Sequence, residues 1–169
     1  TGAGRVLRYE TTDTEDAVLR PATGTGAGDT ITVVQDGNNT ILGGMGGDTI
    51  ATRTGSDTIL GDNGVVQMDA VGEKFAQVRT LSQASAGGGT VDLGGDDVIT
   101  SLDGTKFVMG GDGADTIELG RNSAVSSDHI VLGDNGVVTY VARGETGAGR
   151  VLRYETTDTL SATGGADVI

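Results

Sequence analysis

Aspartate recurs along this chain in one setting, behind a glycine-rich turn and two residues before a large aliphatic side chain. The positions are Asp29, Asn39, Asp48, Asp57, Asp97, Asp115 and Asp167, with asparagine as a neutral substitute at 39. Asp128 is a weaker candidate, because its turn lacks glycine. Carboxylate oxygens and the free carbonyls of glycine turns are ligands for Ca²⁺, which takes about six to eight oxygens. The spacing therefore predicts a series of calcium sites.

A nine-residue period sets the spacing of these aspartates. Residues 43–51 and 110–118 fit the pattern G-G-x-G-x-D-x-U-x at every fixed position, where U is a large aliphatic residue. Partial copies place the aliphatic residue at 31, 41, 50 and 59 and again at 99, 108 and 117. Glycine permits the positive φ of a tight turn, and the x-U-x segment favours a short strand with U inward. Two turns and two strands would close one coil of about eighteen residues.

Stacking of such coils brings their aspartates together. Asn39 would lie on Asp57 at an offset of 18 residues, and Asp97 on Asp115 at the same offset. Asp29 would lie on Asp48, 19 residues further along. Carboxylates about 5 Å apart repel by about 3 kcal/mol at an effective dielectric constant of about 20. A divalent cation between successive coils turns that repulsion into attraction, so calcium explains the aspartates better than simple solvation does.

These residues resemble the calcium-binding nonapeptide of the RTX (repeats-in-toxin) family, which forms a parallel β-roll. The resemblance covers residues 24–64 and 94–117 and the short stretch 164–169. It implies a secreted or surface protein that folds when it meets calcium, with the aspartates above as ligands. It also implies carbonyl ligands in the turns, at Gly43, Gly44, Gly46, Gly110, Gly111 and Gly113. The interrupted arrangement is similar to that of very large bacterial surface or matrix proteins.

Some residues depart from the nonapeptide. Lys106 stands where the aspartate of its turn belongs, so we expect that turn to hold no calcium and the ammonium to supply the positive charge. The motif GDNG occurs at 61–64 and 133–136, where Asp62 and Asp134 replace the usual glycine. These two aspartates are either additional ligands or solvated turn residues. Asp36, Asp103 and Asp112, at the third position of their turns, are either further ligands or solvated turn residues, with solvation slightly favoured.

Composition limits the classes of protein to which this chain can belong. It has 169 residues, 31 of them glycine, a net charge of −13 and no cysteine. The negative charge excludes a basic nucleic-acid binder, and the lack of cysteine excludes disulfides and thiolate zinc sites. No apolar run approaches the roughly 18 residues of a membrane-spanning helix. His129 is the only histidine and no catalytic constellation can be isolated, so we expect no enzyme.

Two longer repeats organise the chain. Residues 1–14 recur unchanged at 146–159, and GDNGVV at 61–66 recurs at 133–138, 72 residues later. Each GDNGVV opens two strand-like runs joined by a glycine-containing turn, which predicts a β-hairpin. An isolated hairpin is marginally stable, so each must cover a side of the coils or meet another chain. We therefore divide the chain into a partial unit at 1–64, a complete unit at 65–136 and a partial unit at 137–169.

The fold predicted from the sequence is all-β, a right-handed parallel β-roll or β-solenoid of nonapeptide repeats, interrupted by β-hairpin insertions. The expected function is a calcium-stabilised structural repeat of a fibrous protein, extracellular or at the cell surface, such as an adhesin stalk or matrix filament. Its partners would be calcium, neighbouring repeats and other copies of the chain in a fibre, with neither nucleic acid nor a transmembrane segment.

Two alternatives to this function stay open. One is the accessory β-roll of a secreted toxin or hydrolase, whose chemistry lies elsewhere in the parent protein. The other is an ice- or carbohydrate-binding solenoid, which would use a column of outward threonines between the aspartate and the aliphatic residue. That column consists of Thr30, Thr40, Thr49, Thr58 and Thr116.

Overall fold

The structure is a computed structural model that describes residues 6, 8–11, 27–81, 83–84, 90–91, 94–120, 127–157 and 164–169. Residues 24–26, at the start of the first predicted block of nonapeptides, lie outside these ranges. The described residues form strands, turns and bends and contain no helix. The prediction of an all-β chain is therefore confirmed for this part of the molecule. The strands are β1 (Arg8–Glu10), β2 (Thr30–Thr32), β3 (Thr40–Gly44), β4 (Thr49–Thr52), β5 (Asp57–Asp62), β6 (Gly64–Met68), β7 (Phe75–Thr80), β8 (Gln83–Ala84), β9 (Thr90–Val91), β10 (Val98–Ser101), β11 (Lys106–Met109), β12 (Thr116–Leu119), β13 (Ile130–Leu132), β14 (Gly136–Tyr140) and β15 (Val151–Thr156).

Strands that come from the nonapeptides alternate between two parallel sheets. The first parallel sheet has the order β12-β10-β4-β2, and the second has the order β13-β11-β5-β3. Pairing keeps the aliphatic residues in register, with Ile50 between Ile31 and Ile99 in the first sheet. Because β10 pairs with β4 and β11 with β5, the two blocks of nonapeptides stack directly on each other, although a hairpin separates them in the chain.

A narrow aliphatic core joins the two parallel sheets. Its buried members are the predicted aliphatic residues of the nonapeptides, namely Ile41, Ile50, Ile59, Ile99, Val108 and Ile117. Ile31 and Val131 are partly buried against the same cluster. Each of these side chains is the inward residue of a short strand, since neighbouring residues of a strand point to opposite faces. The period of nine thus places one aliphatic residue of each parallel strand in this core, partly buried at Ile31 and Val131 and buried on the other strands.

The two predicted hairpins form a third, antiparallel sheet with the order β1-β6-β7-β14-β15. Val66, Val78 and Val138 of this sheet pack in one buried cluster with Leu60 and Phe107 of the second parallel sheet. Phe107 belongs to this second core, whereas the adjacent Val108 belongs to the first. The hairpins therefore cover one side of the parallel strands, which is one of the two placements that the sequence left open. The short strands β8 and β9 pair with each other alone.

Candidate cation-binding site

Aspartates on successive strands of the first parallel sheet are linked by backbone-to-carboxylate hydrogen bonds. The N–H groups donate from Asp29 to Asp48 (2.7 Å), from Asp48 to Asp97 (2.7 Å), from Asp97 to Asp115 (2.9 Å) and from Asp115 to Asp167 (3.0 Å). The predicted stacking of Asp29 on Asp48 and of Asp97 on Asp115 is confirmed. We call Asp48, Asp97, Asp115 and Asp167 the acidic row. Its first three members are each only 1% exposed.

The second carboxylate oxygen of these buried aspartates is left without a partner. Oδ2 of Asp48, Asp97 and Asp115 accepts no hydrogen bond within the described part of the chain, although each of these atoms is buried. A buried ionised carboxylate without a partner is costly, so such groups are usually paired or bind a metal ion. The three oxygens are therefore the strongest signal of a ligand in the structure.

Glycine stands beside each of these oxygens, where a side chain would fill the space that the oxygen faces. A Cβ on Gly43 would lie 2.1 Å from Oδ2 of Asp48 and 1.9 Å from the carbonyl oxygen of Gly61. The same arrangement occurs twice more. A Cβ on Gly61 would lie within 2.6 Å of Oδ2 of Asp97 and of the carbonyl oxygen of Gly110. A Cβ on Gly110 would lie within 2.6 Å of Oδ2 of Asp115 and of the carbonyl oxygen of Gly133. Each space thus presents one unpartnered carboxylate oxygen and one backbone carbonyl oxygen.

Gly61 and Gly133 are the glycines that sequence reasoning missed in this arrangement. The nonapeptide pattern includes Gly43 and Gly110, whereas Gly61 and Gly133 stand out in the sequence only as the first residues of GDNG. A signal was present, because all four glycines stand two residues after an inward aliphatic residue, as Gly61 stands after Ile59. That position places every one of them at the end of a strand of the second parallel sheet, opposite the acidic row.

The donors of the acidic row fit a hard cation. Ca²⁺ takes carboxylate and backbone carbonyl oxygens at about 2.3–2.6 Å, and both kinds of oxygen lie at each of these spaces. No group of three or more His, Cys, Asp or Glu side chains is arranged to hold a metal ion among the residues that the structure describes. A cation in the acidic row would therefore take most of its ligands from backbone carbonyls rather than from side chains.

Burial raises the pKa values of three carboxyl groups in the acidic row, those of Asp48, Asp97 and Asp115. Desolvation is the largest cause at Asp97, where it raises the pKa to about 8, and at Asp115, where it raises the pKa to about 7. Neighbouring carboxylates raise both values further, while a backbone hydrogen bond opposes the shift in each case. Burial also raises the pKa of Asp48. The protein alone thus holds negative charge poorly along the row.

Asp62 of the first GDNG motif lies next to the acidic row. It is 3% exposed, and its Oδ2 accepts a hydrogen bond of 2.5 Å from the N–H of Asp112. Burial, with a further contribution from the charge of Asp97, raises the pKa of Asp62 to about 10. Asp134 of the second motif is half-buried, and a Cβ on Gly164 would lie 2.5 Å from its Oδ1. Both aspartates are therefore placed beside the stacked turns, while a role as ligands stays a prediction.

Of the two interpretations left open for Asp112, solvation is wrong. Asp112 is 3% exposed, and the side-chain amide of Asn135 donates a hydrogen bond to its carboxylate. Asn135 comes from the second GDNG motif, so the burial results from a contact 23 residues away in the chain. A local pattern could not reveal such a contact.

A lysine occupies the centre of the opposite turns, at the start of the second parallel sheet. Nζ of Lys106 lies 2.7 Å from Oδ2 of Asp57 and donates to three backbone carbonyls, those of Arg53 (3.1 Å), Gly55 (2.7 Å) and Asp103 (3.2 Å). Lys106 is completely buried. Four oxygens from the turns of two successive strands therefore surround one ammonium group, which places a positive charge where the sequence predicted it.

Asp57 differs in charge state from the acidic row. Burial would raise its pKa, but hydrogen bonds from Lys106, Asn39 and Thr52 outweigh that effect and lower the pKa. The side-chain amide of Asn39 donates to Oδ1 of Asp57 at 2.7 Å, and its backbone N–H donates to the same oxygen at 3.0 Å. The predicted stacking of Asn39 on Asp57 is confirmed. This carboxylate is ionised and fully paired by the chain itself.

Asp128 does not occupy the aspartate position of its strand. Val131, not Ile130, pairs with Val108 in the core register, which moves the equivalent of the aspartate one residue along to His129. Nδ1 of His129 accepts a hydrogen bond of 3.2 Å from the N–H of Lys106, and Asp128 is exposed. The placement of Asp128 in the column is therefore corrected. Without a preceding glycine, the sequence offers no marker that fixes this register.

The remaining predicted turn glycines have a conformational role. Gly44, Gly46, Gly111 and Gly113 have φ values of 116°, 91°, 124° and 112°, a region that other residues rarely adopt. A Cβ on Gly46 would also lie 2.8 Å from the backbone nitrogen of Gly28. The turns that present the stacked carbonyls thus require glycine, and carbonyl coordination at these four residues stays a prediction.

The threonine column is divided between the two parallel sheets. Thr30, Thr49 and Thr116 are exposed and in register in the first sheet, but the exposed Val98 stands among them. Thr58, in the second sheet, is buried beneath the hairpins. The flat threonine surface that an ice-binding solenoid would need is therefore limited to three threonines.

Comparison of the chain with protein-family models, curated proteins and solved structures finds no match. Within the described residues, no helix has the length and apolar character needed to cross a membrane. Functional inference therefore depends on the geometry of the stacked turns themselves.

Proposed function

We propose that this chain is a calcium-stabilised structural repeat of a secreted or cell-surface fibrous protein, built as an RTX-like parallel β-roll with hairpin insertions. The observation that carries the proposal is the set of buried Oδ2 atoms at Asp48, Asp97 and Asp115. Each lacks a hydrogen-bond partner in the described part of the chain, and each faces a glycine carbonyl across a space that a Cβ would fill.

The electrostatics of the acidic row call for neutralisation of its negative charge. Successive carboxylates on neighbouring strands, about 5 Å apart, repel by about 3 kcal/mol per pair at an effective dielectric constant of about 20. The whole chain carries a net charge of −13, which adds a general repulsion in the folded state. Bound Ca²⁺ would supply the positive charge that the acidic row lacks, as Lys106 supplies it to Asp57.

A structural role is supported by the way in which the strands repeat. Each strand of the parallel sheets contributes one aliphatic residue to the narrow core between the sheets, at the same inward position in every repeat. Such stacked repeats gain stability from contacts between neighbours and can be extended along one axis. The glycine-rich turns let successive strands stack closely and expose backbone carbonyls. Both features suit a structural role.

The proposal is tested by comparing two Asp-to-Asn variants, one inside and one outside the acidic row. Asp97→Asn removes a carboxylate whose Oδ2 is unpartnered, whereas Asp128→Asn removes an exposed carboxylate that only the sequence pattern places in the column. We expect calcium to raise the thermal midpoint of the wild type and of Asp128→Asn equally, and to raise that of Asp97→Asn much less. An equal response of all three proteins would refute the assignment of the acidic row.

A further inference from the structure

One sequence occupies two different settings in the antiparallel sheet. The residues RVLRYETTD stand at 5–13 and again at 150–158. In the first copy β1 pairs with β6, which puts Tyr9 opposite Val66. In the second copy β15 pairs with β14, which puts Tyr154 opposite Val138. Val66 and Val138 are the last residues of the two GDNGVV motifs. Two copies of one sequence, which contain β1 and β15, therefore pair with two copies of the same motif.

Backbone hydrogen bonds indicate that the two copies use opposite edges of the strand. The N–H of Thr11 donates to the carbonyl of Gly64 (3.2 Å), so the Thr11 edge of the first copy faces β6. In the second copy, the N–H of Thr157 donates to the carbonyl of Asn135, just before β14 (2.9 Å). The equivalent of Thr11 is Thr156, the residue before Thr157. Alternate residues of a strand direct their N–H groups to opposite edges. Thr156 and Tyr154 therefore lie on the edge by which the first copy binds β6.

The same join occurs a second time inside the chain. The hydroxyl of Thr11 accepts a hydrogen bond of 2.8 Å from the N–H of Gly64, and the hydroxyl of Thr80 accepts one of 2.9 Å from the N–H of Gly136. β7 thus meets β14 as β1 meets β6, each time through a threonine and the final glycine of GDNG. Thr156, at the end of β15, is the equivalent of Thr11, just after β1, and of Thr80, at the end of β7.

The outer edge of β15 has no neighbouring strand among the described residues, since β15 ends the sheet. Tyr154 is 63% exposed there, whereas the equivalent Tyr9, beside β6, is 40% exposed. Leu152 on the same edge is 67% exposed. Unpaired N–H and C=O groups along such an edge can pair with a strand from another chain. The contacts of β1 with β6 and of β7 with β14 indicate which strand sequence fits the outer edge of β15.

We infer that the outer edge of β15 binds the Gly64–Met68 strand of a second copy of this chain, in the register that β1 uses for its own β6. Arg153 then lies opposite Gln67 of the second copy. The entering β15 takes the place of the second copy's β1, whose three paired residues have the same identities. Because the contact is head to tail, each added copy presents its own β15 in turn, so the same contact can repeat from copy to copy. Such a contact would serve the proposed structural role and rests on that proposal, but it does not depend on cation binding.

A matched pair of proline variants separates the two sides of this contact. Tyr9→Pro removes an N–H that faces β6, which weakens β1 and opens the edge that a second copy would enter. Tyr154→Pro removes an N–H on the outer edge of β15 and leaves the hydrogen bonds to β14 in place, as an edge strand tolerates. In sedimentation experiments with calcium, we expect Tyr9→Pro to lower the concentration of half-association about tenfold, the equivalent of one good hydrogen bond. The double variant should remain monomeric.

Two results would overturn the inference. One is a folded Tyr9→Pro protein that stays monomeric over the whole concentration range, and the other is a double variant that associates as strongly as Tyr9→Pro alone. Far-UV circular dichroism recorded on the same samples keeps the two proposals apart. Loss of the β signal in calcium counts against the calcium-stabilised fold, whereas a folded monomer counts against the β15 contact only.

A disulfide test checks the register without proline. Arg8 and Gln67 lie opposite each other, an odd number of residues along the strands from the hydrogen-bonded pair Thr11–Gly64. Because hydrogen-bonded and non-hydrogen-bonded pairs alternate, Arg8 and Gln67 form a non-hydrogen-bonded pair, in which the side chains lie close together. Arg153→Cys chains mixed with Gln67→Cys chains should therefore form a mixed disulfide dimer on oxidation, and the lack of native cysteine keeps the reaction specific. Arg53→Cys, at another exposed arginine, is the control partner. A yield no higher than the control's would overturn the register.

Discussion

Lys106 and Asp57 form a completely buried ion pair, with Nζ of the lysine 2.7 Å from Oδ2 of the aspartate. Three backbone carbonyls complete the surroundings of the ammonium group. In the acidic row, the carboxylates of Asp48, Asp97 and Asp115 lie beside glycine carbonyls, and no cationic side chain of the described residues pairs with them. The two sets of turns are thus alike in their oxygens, and only the turn at Lys106 has a positive charge among the described residues.

Lys106→Met should strongly destabilise the protein, because it leaves the buried carboxylate of Asp57 without its cation. Breaking a buried ion pair from one side costs about 3–5 kcal/mol. Lys74→Met is the control, since exposed Lys74 donates only to the carbonyl of Ala148. The measurement is urea unfolding in calcium. Adding Asp57→Asn to Lys106→Met should restore part of the loss, and a double variant that is as unstable as the two single losses combined would contradict the pairing.

In metal-free buffer, the stability of the fold should decrease as the pH rises from about 5 to 9. The folded-state pKa values of Asp115, Asp97 and Asp62, about 7, 8 and 10, all exceed the value of about 3.9 for unfolded aspartate. A raised carboxyl pKa contributes stability below the unfolded value, and that contribution is lost as the pH rises through the folded value.

Calcium should reverse the direction of this pH dependence. In the proposed site the ligands would be deprotonated carboxylates, so calcium binding should strengthen as the pH rises through the same pKa values. Far-UV circular dichroism at pH 5 and pH 9, with and without calcium, checks both signs, since the metal-free protein should keep more β structure at pH 5 than at pH 9 and calcium should restore more of it at pH 9. Metal-free protein that is equally stable at both pH values would mean that the acidic row is not buried as described.

Gly61→Ala should destabilise the fold and reduce its response to calcium. The added Cβ would lie 1.8 Å from Oδ2 of Asp97 and 2.6 Å from the carbonyl oxygen of Gly110, so both oxygens must move. Overpacking of this kind costs about 1–3 kcal/mol. Gly37→Ala is the control for the calcium response, because its Cβ would meet nothing within 4 Å, although its φ of 155° also strains alanine. Thermal melts with and without calcium measure the response, and a Gly61→Ala protein that gains as much from calcium as Gly37→Ala would contradict the geometry.

Phe107→Ala should loosen the antiparallel sheet from the parallel strands. Phe107 is buried in the cluster that joins the two, and removal of such a ring costs about 3–5 kcal/mol. Val98→Ala, at an exposed strand position, should cost no more than about 1 kcal/mol. Chemical unfolding measures both changes. A cost at Phe107 that equals the cost at Val98 would show that the second core contributes little.

The sequence predicted the parts of the site that depend on local periodicity. Ile50, Ile99 and Ile117 are buried as the nine-residue period required, and Asp97 lies on Asp115 at the predicted offset. Asp128 was misplaced because a strand without a preceding glycine has no local mark of its register. A shift of one residue is enough to exchange Asp128 for His129.

Contacts between distant segments could not be predicted from the period. The N–H of Asp48 donates to Asp97, 49 residues away, because the hairpin β6–β7 leaves the stack and the chain then returns to it. The burial of Asp112 likewise depends on Asn135, from the second GDNG motif. Such contacts follow from how the hairpins pack, which local patterns of glycine and aspartate do not encode.

A calcium titration of the unmodified chain, followed by far-UV circular dichroism and small-angle scattering with magnesium as the control, tests the central claim most directly. The account predicts a cooperative gain of β structure with compaction in calcium and little response to magnesium, because the carboxylates of the acidic row and the turn carbonyls suit the larger, less strictly coordinated ion. A protein that is already compact and β-structured in excess chelator at neutral pH, and that calcium leaves unchanged, would contradict it.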